Sequence, residues 1–215
     1  MSNATYDPLN LRIQALETLH AISSLEKYLE VVEAQIEEVE HCERAVLGAY
    51  EPKSELEQKM LWSAENSLEL LFENDLVPAM RYSFIVLIHT VFEVRLRAFC
   101  SDMRSDRKIP ISLTEISGSP IDRARIYLTK LAGLDISGIP EWKHLRTFQK
   151  IRNCIAHRYG EVAESSDENE LRRIVKDIGA TVDDNGRLAL TKALCEQYLA
   201  HVKNFFEALF HSAGG

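Results

Sequence analysis

The sequence predicts an all-α protein: a helical bundle with a long N-terminal helical hairpin and a small β-hairpin before its last helix. Three observations lead there. Apolar residues recur at spacings of three and four along most of the chain. Prolines and glycines punctuate these stretches at helix starts and ends. One segment, ATVDDNGRLAL, instead sets Asn185-Gly186 between two β-prone pieces, the chemistry of a tight hairpin turn.

The first helical stretch, Leu9 to Tyr50, has no proline and a glycine only near its end. Ile22, Leu25, Leu29, Val32, Ile36 and Val39 alternate spacings of three and four, a heptad seam. Such a seam serves either a dimerising coiled coil or one arm of an intramolecular hairpin. The hairpin is preferred because a second helix follows closely. EPKS breaks the chain, and Ser54 with Glu57 forms a capping box. Met60, Leu61, Ala64, Leu68 and Leu71 are expected to form that helix's apolar face. Pro78 interrupts the pattern and is placed in the first turn of a third helix running to about Cys100.

That third helix is apolar nearly all round, which marks a helix surrounded by neighbours. His89 and Glu93 are its polar exceptions, four apart on one face. Two ligands without a third make a poor metal site, so a satisfied buried pair is the reading taken. Ser119-Pro120-Ile121-Asp122 starts a helix that ends near Gly133. Pro140 opens the next, which stops before Gly160. Ser165 to Gly179 reads as a short charged helix. Thr191 caps the last one, with Leu194, Tyr198, Val202, Phe205, Phe206 and Leu209 inward. One domain is expected over 1–215, with residues 1–76 as the hairpin and 77–215 as the core bundle.

Composition narrows the function. Hydrophobic residues are 46% of 215, enough for a packed core. A net charge of -8 argues against binding nucleic acid or acidic lipid over the whole surface, while leaving room for a local basic patch. The 4 cysteines are far apart and form no CxxC, so they read as buried, reduced thiols in a cytoplasmic protein. The N-terminus is polar, unlike a signal peptide. The most apolar run, Phe84 to Phe92, falls short of the roughly 20 residues that span a bilayer. No membrane partner is expected.

The segment that raises a functional question is FQKIRNCIAHRYGEV, Phe148 to Val162. Cations in the last turn of a helix stabilise its negative end, which by itself would explain His157 and Arg158. Yet the helix is basic well before that turn, through Lys143, His144, Arg146, Lys150 and Arg152. Arg146, Lys150 and His157 fall within about 40° of one another on a helical wheel, a stripe able to hold phosphates. Polar Asn153 directly follows Arg152.

KIRNCIAH resembles the signature of HEPN domains (higher eukaryotes and prokaryotes nucleotide-binding), an Arg, often followed directly by a polar residue, then a His after a gap of four to six residues. SFIVLIHTVFEVRLRAFC resembles the core helix preceding that motif, and the likeness covers roughly Val77 to Phe210. The resemblance implies a helical domain, usually dimeric. Many members are metal-independent endoribonucleases of toxin–antitoxin or antiphage systems; others bind or assemble without catalysis. Residue chemistry fits the first role. The RNA 2'-hydroxyl is the nucleophile, imidazole suits a general base or acid, and guanidinium forks onto phosphate oxygens. His157 is therefore assigned proton transfer, Arg152 the phosphate clamp, and Asn153 the orientation of either. Glu93 is a candidate to hold Arg152, and Arg146, Lys150 and Arg158 to bind the RNA backbone. No cofactor or metal is required.

Arg152 and His157 point about 140° apart on one continuous helix. They converge if the helix ends early, if Arg152 bends round, or if two copies pool residues. The last option fits the family's habit of building its site on a twofold axis. Arg152, His157 and Tyr159 also match the Arg-x4-His-x-Tyr motif of toxins whose nucleotidyltransferase antitoxin modifies that tyrosine. Tyr159 is thus a candidate modification site, although this chain is longer than such toxins. The alternative is a noncatalytic interaction module binding a protein or nucleotide partner.

Overall fold

Helix α1, Pro8–Gly48, is long enough to serve two parts of the molecule, and its burial changes halfway. Ile22, Leu25 and Leu29 are buried against the helices of the core, whereas Val39 on the same seam is exposed. The seam thus folds back onto the bundle through its first half. Its second half pairs with α2, Glu55–Leu70, capped by the Ser54 hydroxyl accepting from the Glu57 N–H at 3.2 Å. The structure, a computed structural model, describes residues 8–163 and 167–214. Of the apolar face expected for α2, Leu61, Ala64 and Leu68 are half-buried, but Met60 and Leu71 are exposed.

Pro78 does not break the chain. Residues Leu71–Leu76 wind as a π-helix and lead directly into α3, Val77–Asp106, so the backbone stays helical from Glu55 to Asp106. A proline lacks the N–H for the ordinary i→i−4 bond, and the wider winding just before it accommodates that loss. Glu33 marks where the arm meets the core. It is buried and accepts from Arg81 Nε and Nη2, each at 2.9 Å, while Arg81 Nη1 donates to the Leu190 carbonyl at 3.0 Å.

The core lies between α1, α3, α5 (Glu141–Arg158) and α7 (Lys192–Gly214). Phe92 on α3 meets Phe205 and Phe206 on α7 edge-on at 5.5 and 5.8 Å. Phe148 on α5 stacks flat on Tyr198 at 4.1 Å. All six inward residues expected on the last helix are buried. Helix α4, Pro120–Ile126, continues as a π segment, Tyr127–Leu131, to Gly133. Helix α6 spans Glu168–Asp177; the Ser165 start expected for it lies outside the described residues.

The β-hairpin pairs β1, Thr181–Val182, with β2, Leu188–Ala189, around Asn185-Gly186. It clamps the exit of α5: Val162 N–H donates to Gly186 O, and Leu188 N–H to Gly160 O, each at 3.0 Å. Among the described residues no helix is long and apolar enough to cross a membrane.

The cysteines divide unevenly. Cys100, Cys154 and Cys195 are buried, as expected, but Cys42 on α1 is exposed. Burial pushes the Cys100 and Cys195 thiols up to about 12 and raises Cys154 as well. Only thiolates attack disulfide reagents at an appreciable rate. A titration of the folded protein with an aromatic disulfide reagent is therefore expected to label Cys42 quickly. The other three thiols should react after denaturation. Fast labelling of two or more in the native state would contradict the packing.

Candidate functional site

Helix α5 carries the motif because its sequence divides it cleanly. Trp142, Leu145, Phe148, Ile151, Cys154 and Ile155 are buried, which forces Asn153, Ala156 and His157 outward. At 100° per residue, Arg152 lies at one edge of this uncovered face, His157 towards the other, and Asn153 between them. The helix does not end between Arg152 and His157, since α5 continues to Arg158. Within one chain the two side chains therefore diverge.

The end of α5 is sharper than a glycine exit. Tyr159 itself takes the left-handed conformation, φ +52°, and Gly160 follows at φ +81°. A bulky residue at positive φ is held there by its surroundings. The Tyr159 ring sits edge-on to Tyr82 at 5.5 Å, with the Arg187 guanidinium 5.9 Å from its centre. The ring nevertheless stays exposed.

Arg152 is tied to the core. Its Nη2 lies 3.3 Å from Glu93 Oε1, and its Nη1 donates to Asn153 Oδ1 at 3.0 Å. Glu93 Oε1 is also 3.3 Å from Nε2 of the wholly buried His89, close enough for charge pairing but not aligned for a hydrogen bond. Nδ1 of His89 shares a hydrogen bond with the Tyr198 hydroxyl at 2.5 Å. Burial opposes ionisation of Glu93, but His89, Arg152 and Arg97 outweigh it and hold the carboxyl below its ordinary range. The sequence shows the His89–Glu93 spacing; Tyr198 as the next member of the chain of contacts comes from another helix and carries no sequence signal. No group of three His, Cys, Asp or Glu side chains able to hold a metal occurs among the described residues.

On the other edge, Arg146, Lys150, Asn153, His157 and Arg158 line one cleft of about 700 Å³. The sequence stripe is thus brought together, without Arg152. The cleft also contains acids that the helical wheel does not reveal, because they come from α4 and α6. Arg146 pairs with Asp122 at 2.9 Å and Lys150 with Glu170, and Asp167 lines the same wall. Both ion pairs are partly exposed, where such pairs contribute about 0–1 kcal/mol each. An incoming phosphate can displace a carboxylate held that weakly. Glu170→Gln should free Lys150 and tighten binding of a single-stranded RNA several-fold at low salt, read by fluorescence anisotropy. Unchanged or weaker binding would mean that the cleft at Lys150 does not take up a phosphate backbone.

Comparison of the chain with protein families, with curated proteins and with solved structures finds no match in any of the three.

Proposed function

We propose that the chain is a HEPN-like, metal-independent endoribonuclease that works as a homodimer. The observation that carries this reading is the uncovered face of α5, which presents Arg152 and His157 at its edges with Asn153 between. Arg152 is also fixed from behind by Glu93. A second copy packed on that face by a twofold axis running along α5, so that the two α5 helices lie parallel, would set each Arg152 on the side of the other copy's His157. The divergence within one chain then becomes convergence across two.

In this site His157 removes the 2'-hydroxyl proton as the O2'–P bond forms. The P–O5' bond breaks, and a protonated imidazole or water returns a proton to the departing 5'-oxygen. The products are a 2',3'-cyclic phosphate and a 5'-hydroxyl. Arg152 stabilises charge developing on the phosphoryl oxygens, and Asn153 orients the phosphate or His157. Arg146, Lys150 and Arg158 would hold neighbouring phosphates. A cytoplasmic toxin–antitoxin or antiphage setting suits this chemistry, with an antitoxin or nucleotidyltransferase as partner and the exposed Tyr159 as the modified group.

The test is incubation of the purified full chain with single-stranded RNA in excess chelator. Cleavage leaving cyclic phosphate ends is expected. Intact RNA over a wide range of protein concentrations would remove the proposal. The second reading, a noncatalytic interaction module, draws on a different observation: α2 has no buried residue.

A further inference from the structure

The arm built from the second half of α1 and from α2 is unfinished as a helical assembly. We infer that its apolar groove binds a basic amphipathic helix of a partner protein. On α2 the half-buried row is Glu57, Leu61, Ala64 and Leu68, directed at α1. A second row, Leu56, Met60, Ser63, Ser67 and Leu70, repeats at spacings of four and three and is exposed throughout, Met60 at 64%. On α1 the half-buried row is Ile36, Glu40 and Leu47. Beside it run Gln35, Val39, Cys42 and Val46, with the same spacings and exposed throughout, Val46 at 68%.

Each open row lies about 100° back from its helix's buried row, viewed along that helix from N- to C-terminus. Since the two helices are antiparallel, equal rotations in their own directions bring both rows to the same side of the hairpin. The opposite side is polar, with Arg44, Glu65, Asn66 and Glu69 around Trp62. Two parallel heptad rows flanking a groove form the seat for one further helix.

Charge selects the occupant. Residues 34–70, which make up the arm, contain 9 acidic and 3 basic residues, while the rest of the chain contains 24 and 22, so most of the net charge of -8 resides on the arm. A second copy would bring the same charge against itself. A helix with lysine or arginine beside its apolar seam would be drawn in and retained.

Two synthetic four-heptad peptides test this on the full chain, both with Leu at a and d, one with Lys and the other with Glu at e and g. The Lys peptide should bind one to one and weaken as salt rises. The Glu peptide should not bind. Val39→Asn with Met60→Gln leaves the charge unchanged and should weaken the Lys peptide at least tenfold, with the circular dichroism spectrum intact. Alkylation of Cys42 should interfere in the same way. Equal affinity for both peptides, no saturable binding, or indifference to the double substitution would overturn the inference. So would sedimentation showing a wild-type dimer that the double substitution disperses, because the second copy would then occupy the groove.

Discussion

Replacing His157 by alanine should abolish RNA cleavage and leave the melting temperature unchanged. The imidazole is exposed on α5, and among the described residues it has no hydrogen-bond or ion-pair partner. Surface changes of that kind usually stay within about 0.5 kcal/mol in stability, whereas loss of a general base removes roughly 10²–10⁴ in rate. Arg152→Ala should also eliminate cleavage but cost about 1–2 kcal/mol, because Glu93 would remain partly buried with one partner fewer. The pair of variants also tests the twofold site. A mixed dimer of the Arg152→Ala chain with the His157→Ala chain holds one intact Arg–His combination across the interface and none within a chain. Partial recovery of cleavage on mixing locates the site between copies. Full inactivity of the mixture, with each parent folded and dimeric, would rule the shared site out.

The sequence discloses the helices and the motif for the same reason: both are written in local spacing. The inward residues of α7 and the Asn-Gly turn follow from period and turn chemistry, with no knowledge of tertiary contacts. The π winding at Leu71–Leu76 is less visible, since a proline normally signals a break rather than a wider turn that keeps the backbone helical. The acids of the cleft are hidden because Asp122 and Glu170 come from helices 24 and 20 residues distant from their partners Arg146 and Lys150. Exposed Cys42 is misread by composition, which reports that thiols are usually buried but not which helix face is left open. The β-hairpin is foreseen as an element, but its work on Gly160 and Val162 emerges only when the chain folds back over the motif's exit.

That exit is where a change of one methyl group should be most damaging to the fold. At Gly160 an added Cβ would stand 2.2 Å from the Tyr82 hydroxyl oxygen and 2.5 Å from its ring carbon Cζ, far inside contact distance. Tyr82 cannot withdraw freely: it is buried, and its hydroxyl donates to the Leu188 carbonyl at 2.6 Å. Gly160 also sits at φ +81°, where alanine is strained even in open space. Gly160→Ala is therefore expected to cost about 3 kcal/mol or more, which for a chain of this size lowers Tm by roughly 10 °C. Gly179→Ala separates the two causes. Gly179 has φ +74° but nothing within 4 Å of the new Cβ, so that variant should lose only about 1 kcal/mol. The difference between the two measures the clash with Tyr82. Because Gly160 directly follows Tyr159 and is clamped by Leu188, the Gly160 variant should also displace the end of α5 and reduce RNA cleavage, while Gly179→Ala leaves it intact. Equal losses of stability in the two variants would mean that the hairpin and Tyr82 do not grip the exit of α5 as closely as the packing indicates.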